Sequence, residues 1–295
     1  SGQRDIEILD LLFFRNCAYA ICDSSSLFFQ TLNAFKRAIT IDMAKSPEAI
    51  NILSNMGGMF SFTGLSFTLS RKFLEKSKAV LDEKNIKTVM PYIHLITLRF
   101  LYSGDWKELR SCDEALVGAG LAKGDFFNTT SYIWWFFMAK VDMGDFAETE
   151  RAVKKLSEIA DNYDYPTAIL YACHLKMDLL LIKGLLPEAL EEAEQGVMLS
   201  NQQGMEIFQA DSLSYRAEIL TLLNNMDKAK QSLLQAQKIF DQNKFLPTLQ
   251  IPHYLFPQFG LNFHFLKKAK FYKGKSNFSS LQKKARKEWK TVLKA

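Results

Sequence analysis

Proline is scarce in this chain, seven in 295 residues, and the apolar/polar alternation that marks a half-buried strand is almost absent. With few helix breakers and 48% hydrophobic residues, the sequence excludes a disordered or strand-built protein and can bury a sizeable core. Cysteine is equally sparse. Cys17, Cys22, Cys112 and Cys173 form no CxxC pair and no disulfide framework, so a reducing, cytoplasmic setting is expected, with the four thiols buried as small apolar groups. No apolar run suits a bilayer: DIEILDLLFFRNCAYAICD is interrupted by Asp10 and Arg15, and SYIWWFFMAKV is too short and ends in Lys140. The first of these also lacks a basic lead and a cleavage site, so it reads as a buried helix rather than a signal peptide, and no membrane partner is expected. The leading Ser1-Gly2 has the look of a cloning remnant, and the chain is expected to be a fragment of a larger protein.

Chemistry is thin as well. The four histidines (His94, His174, His253, His264) are too widely spaced for a local metal site, and no HExxH occurs. Gly274-Lys275-Ser276 copies the tail of a phosphate-binding loop, but the leading glycine of that motif falls at Ala269 and a helical pattern precedes it. Gly57-Gly58 follows no strand and is read as a close helix crossing. No nucleophile stands with a base, and no carboxylate pair defines a cleft. A non-enzyme without metal or cofactor is the expectation.

What the sequence does hold is a period. Gly64, Gly104, Gly144 and Gly184 stand forty apart, Asn224 continues the series and Ser24 precedes it. Glycine, or asparagine in its place, can take the left-handed conformation that ends a helix. Two positions later come Trp106, Phe146, Leu186 and Met226, apolar groups able to staple the next helix onto the previous one. Asp105 and Asp145, each followed three residues on by Glu108 or Glu148, have capping-box spacing, while Pro47 and Pro187 suit a first helical turn. Before the corner, Ile93, Ile133, Cys173 and Leu213 lie seven residues ahead of Phe100, Lys140, Leu180 and Leu220, which is one helix face. In the second helices, Ala189 with Gly196 and Ala229 with Ala236 provide small residues for close packing.

These features predict an all-α chain of about seven antiparallel helical hairpins, at roughly 4–43, 47–84, 87–122, 126–162, 166–202, 206–243 and 252–294, forming one domain over 1–295. The last hairpin is out of phase, because a Pro-containing insertion moves its corner to Gly274. A hairpin cannot bury its apolar face alone, so neighbours must stack into a solenoid. The GDW and GDF corners, together with the small residues five and twelve positions after Gly184 and Asn224, resemble the tetratricopeptide repeat, in particular its long-helix, maltose-activator-type form found in the C-terminal regions of large bacterial signalling ATPases. The forty-residue unit is longer than that family's standard one, and its closing proline is mostly missing.

The resemblance implies a right-handed superhelix whose concave groove binds a partner. It places in that groove Pro91, Ser131, Tyr171 and Asp211, then His94, Trp134, His174 and Ser214, then Leu98, Met138, Asp178 and Glu218. Such a mixture of rings, imidazoles and carboxylates suits a peptide or small molecule. The alternative is that the imidazoles merely fill a crowded inner helix face. The expected partner is a protein or peptide, or other domains of the parent chain, with a small-molecule effector also accommodated.

Net charge is +5, but residues 244–295 hold 12 Lys/Arg and one acid, against 25 basic and 31 acidic residues before them. Lys267, Lys268, Lys270, Lys283, Lys284, Arg286 and Lys287 form a basic patch, with Phe271, Tyr272 and Trp289 available to stack. It is read first as the polar cap of the array and second as a nucleic-acid or anion-binding surface.

Overall fold

Helix corners set the architecture. The computed structural model describes residues 3–40, 46–243, 250–271 and Lys283. They form α1 (Gln3–Cys22), α2 (Ser24–Ala38), α3 (Pro47–Phe62), α4 (Phe67–Ala79), α5 (Ile86–Ser103), α6 (Glu114–Ala122) and α7 (Phe126–Asp142). Next come α8 (Phe146–Tyr163), α9 (Pro166–Ile182), α10 (Leu186–Gln202), α11 (Glu206–Leu222), α12 (Met226–Gln242) and α13 (Gln250–Phe271). Among the described residues there is no strand, and the protein is all-α. The first six expected hairpins each coincide with a helix pair. The expected corner at Gly274 lies outside the described residues, as do Lys284, Arg286 and Lys287 of the basic patch; Lys267, Lys268 and Lys270 fall on α13, and Lys283 is exposed.

Gly64, Gly104, Gly144, Gly184 and Asn224 all have positive φ, between 60° and 83°. A second series, Gly124, Asp164 and Gly204, lies midway between them and is left-handed too. Corners therefore recur every twenty residues from 104 to 224. At each, the residue after the corner donates its N–H to the carbonyl five residues earlier, from Asp105 to Phe100 through to Asn225 to Leu220, at 2.8–3.0 Å. This six-to-one bond satisfies a carbonyl that the helix end would leave bare.

Helix starts follow a different rule from the one expected. Ser46, Ser66, Asn85, Asp113 and Asp125 cap through their side chains. Asp105 and Asp145 do not. Asp105 Oδ2 instead accepts from Arg99 Nη2 (3.0 Å) and Ser103 Oγ (2.8 Å), and Asp145 lies 3.7 Å from Lys140 Nζ. Each carboxylate faces a cation on the preceding helix.

Contacts group the chain into two compact units, Ser1–Leu179 and Leu180–Ala295. In the first, α3 packs on α5 and α5 on α7, while α4, α6 and α8 pack on α3, α5 and α7 respectively; α1 and α2 pack on each other and on α3. In the second, α11 packs on α10, α12 and α13. Contact between elements one and two apart in sequence is the solenoid mode of packing. Burial differs sharply between the two helices of a hairpin: thirteen of the seventeen residues of α7 are buried, against five of eighteen in α8.

The small residues act as expected. Ala229 packs with Ala217, Leu220 and Leu261, and Ala236 with Ala210 and Phe240. Gly57 and Gly58 are close crossings: a Cβ on Gly57 would meet Leu74 Cγ of α4 at 2.6 Å, and one on Gly58 would meet Leu95 Cδ2 of α5 at 2.3 Å.

Candidate functional site

Of the residues assigned to a groove, Ser131, Trp134, Tyr171 and His174 come together inside the first unit. Ser131 Oγ and Tyr171 Oη are 3.2 Å apart, and the Trp134 and Tyr171 rings stack at 4.5 Å with 5° between planes. His174 meets the same Trp134 edge-on at 5.9 Å. His94, Ser131, Trp134, Met138, Tyr171, His174, Asp211 and Ser214 are all buried; Asp178 and Glu218 are half-buried. Rings one repeat apart are large enough to reach each other and close over the column.

His94 shows how that interior satisfies polar atoms. Trp135 Nε1–H donates to His94 Nε2 at 3.2 Å, so the imidazole proton resides on Nδ1, which donates to Asn128 Oδ1 at 2.9 Å. Asn128 Nδ2 in turn donates to Asp125 Oδ1 at 2.8 Å. Burial holds the His94 pKa down to about 4, partly offset by the Asn128 bond, and pushes the Asp125 carboxyl up. In the second unit, His253 Nδ1 of α13 sits 3.0 Å from Asp211 Oδ1, which docks α13 onto α11.

An accessible site arises where the repeat is broken. After Gly104 the chain makes one 3-10 turn, Trp106–Glu108, and does not resume an α-helix until Glu114. As a result α6 has nine residues where α8, α10 and α12 have 17 or 18. The arrest is local: Asp105 is held by Arg99 and Ser103, and Trp106 Nε1–H donates back to the Leu101 carbonyl at 3.1 Å. The late start is fixed by Asp113, whose Oδ1 accepts from Leu116 N at 2.9 Å while its own N–H donates to Tyr132 Oη at 2.9 Å.

The missing helical turns leave a cavity of about 380 Å³ between the loop, α7 and α8. Phe136, Phe137 and Ala152, all buried, supply its apolar lining. Around them Lys155 pairs with Glu114, Arg151 with Glu148, and Lys140 with Asp145, Lys140 Nζ lying 5.6 Å above the Phe136 ring. Arg110 brings a fourth cation to the lining, with no carboxylate paired to it among the described residues. Cys112 faces the cavity half-buried, correcting the expectation of a fully buried thiol; Cys17 is half-buried as well, and Cys173 is buried. Burial pushes the Cys112 thiol up to about 11, so at neutral pH it is a thiol and not a nucleophilic thiolate. The arrangement can hold a group with an apolar body and an anionic end.

Sequence reading did not find this cavity. Its one signal is the second cap-like cluster, Ser111-Cys112-Asp113-Glu114, which begins six residues beyond the corner aspartate Asp105. No family model matches the chain, and no curated protein matches it. Among the described residues, no helix is long and apolar enough to cross a membrane.

Proposed function

We propose that this chain is a non-catalytic, tetratricopeptide-like binding module, a cytoplasmic sensing or interaction segment of a larger regulatory protein. Its ligand or partner segment sits in the cleft of the interrupted third hairpin. What supports this reading is one observation: in an otherwise regular series of twenty-residue corners, the helix fails to resume after Gly104, and the gap is an open, charged, aromatic-floored cavity and not a collapsed loop. Repeat arrays place binding functions on surfaces where the regular packing is interrupted or exposed.

The test is amide NMR of the chain with a panel of amphipathic carboxylates and short acidic-aromatic peptides. Binding should move signals of residues 110–112, 136–137 and 148–155 together. Ser111→Trp, which places an indole at the exposed mouth, should abolish those shifts while leaving the fold intact. Shifts elsewhere, or shifts that survive Ser111→Trp, would remove the cleft from the reading.

A further inference from the structure

The N-terminal hairpin carries a second, differently built site. Between α1 and α2 runs a groove of about 450 Å³ lined by Arg15 from α1 and by Gln30, Asn33, Lys36, Arg37 and Thr40 from α2, with Leu12 its one apolar wall. Among the described residues, three cations share this groove and no carboxylate lines it. Other cations of the first unit are matched, Arg99 with Asp105 and Lys155 with Glu114 among them. Arg15, Lys36 and Arg37 have no ion-pair partner among the described residues.

Charge placement in α2 explains part of this. Lys36 and Arg37 lie in its last turn, where cations complement the negative helix end. That argument does not reach Arg15, which belongs to the other helix. Arg15 Nε is buried and has no hydrogen-bond partner. Because that Nε is closed to solvent, an anion in the groove would be met by the terminal amino groups of Arg15. The planar fork of Arg15 is suited to two oxygens of one tetrahedral anion, with Lys36 and Arg37 as point charges around it. Gln30 and Asn33 each add amide donors. The Thr40 hydroxyl is committed to the Arg37 carbonyl at 2.8 Å and is not counted among them.

We propose that the α1/α2 groove binds a phosphate-bearing small anion, with Arg15 as its bidentate anchor. Three cations with no acid among the described lining residues favour a multiply charged phosphate over a single carboxylate, and the site is distinct from the cleft of the third hairpin, whose cations are largely neutralised by their own carboxylates.

The experiment is calorimetric titration of pyrophosphate into the chain at low salt, repeated at 0.15 M salt. Saturable binding that weakens several-fold with added salt is expected, because exposed charges are screened beyond about 8 Å at that ionic strength. Arg15→Gln should weaken binding at least tenfold, Arg37→Gln several-fold, and Arg15→Lys should not restore the loss because it lacks the fork. Lys154→Gln, on an exposed face of α8, should change nothing. An adenosine diphosphate arm separates the sources of the phosphate: tighter binding than pyrophosphate assigns a nucleotide, equal binding assigns the phosphate group alone. Circular dichroism checks that each variant is folded. No binding at millimolar pyrophosphate, or binding indifferent to both Arg15→Gln and Arg37→Gln, overturns the proposal.

Discussion

Ser131 and Tyr171 are forty residues apart in sequence, and their hydroxyls lie 3.2 Å apart in the core. Equivalent positions of successive repeats therefore touch, and Trp134 reaches His174 by the same forty-residue step. Within the first unit, the column that the resemblance assigns to a groove is in this structure the seam along which helices lock together.

That seam should be sensitive to acid through His94. The folded state favours the neutral ring, with its pKa down at about 4, whereas an unfolded imidazole titrates at its ordinary 6.5. Between those values the unfolded state binds more protons, so stability is present above pH 6.5 and falls as pH drops towards 4. The contribution is about 3 kcal/mol from the shift alone. Urea unfolding at pH 7 and pH 4.5 measures it, and the pH dependence should shrink in His94→Gln; an unchanged dependence would refute the assignment. Asp125, raised by burial, acts in the opposite direction, which is why the comparison with the variant is needed.

Two glycine substitutions should have opposite signs. Gly57→Ala drives a methyl against Leu74 Cγ and within 3.1 Å of the Ser70 carbonyl, and should destabilise by about 1–2 kcal/mol despite the gain in helix propensity. Gly118→Ala, in α6 with open space around it, should stabilise by up to about 1 kcal/mol. Chemical denaturation midpoints at constant slope report both.

Corner strain is separable from packing. Gly144 has φ +83° and nothing near its Cβ direction, so Gly144→Ala should lose about 1 kcal/mol through backbone strain alone. Asp164 holds φ 49° without being glycine, and Asp164→Gly should raise the melting temperature slightly, the strain relieved exceeding the added chain entropy. A fall in melting temperature for Asp164→Gly would mean its carboxylate contributes more than its backbone costs.

Among the described cysteines, Cys17, Cys112 and Cys173, alkylation should single out Cys112. Its thiol is pushed up to about 11, so the iodoacetamide rate should be slow at pH 7 and rise roughly tenfold per pH unit up to that value. Tyr132→Phe removes the phenol that accepts from Asp113 N, and should cost about 1–2 kcal/mol and accelerate labelling by loosening the loop. Mass mapping of the modified peptide provides the readout, and preferential labelling of Cys173 would contradict the burial described.

The helices and their corners were legible because their causes are local. A left-handed residue, a six-to-one bond and an apolar group two positions later all act within a few residues of one another, so Gly104, Gly144, Gly184 and Asn224 mark them in the sequence alone. The second corner series was overlooked because Asp164 stands where glycine stands at 124 and 204, and one ordinary residue hides a period of twenty.

Side-chain allegiance was not legible. Asp105 is spaced to cap a helix, but Arg99 and Ser103 claim its carboxylate. Whether Trp134 and Tyr171 lie open or stacked likewise depends on rings forty residues away. By itself the sequence determined that the chain is a series of paired helices turning at fixed intervals, since backbone geometry at each corner is decided by its own few residues. Only the tertiary structure decided which polar and aromatic groups are exposed, because each partner there is brought in from another helix.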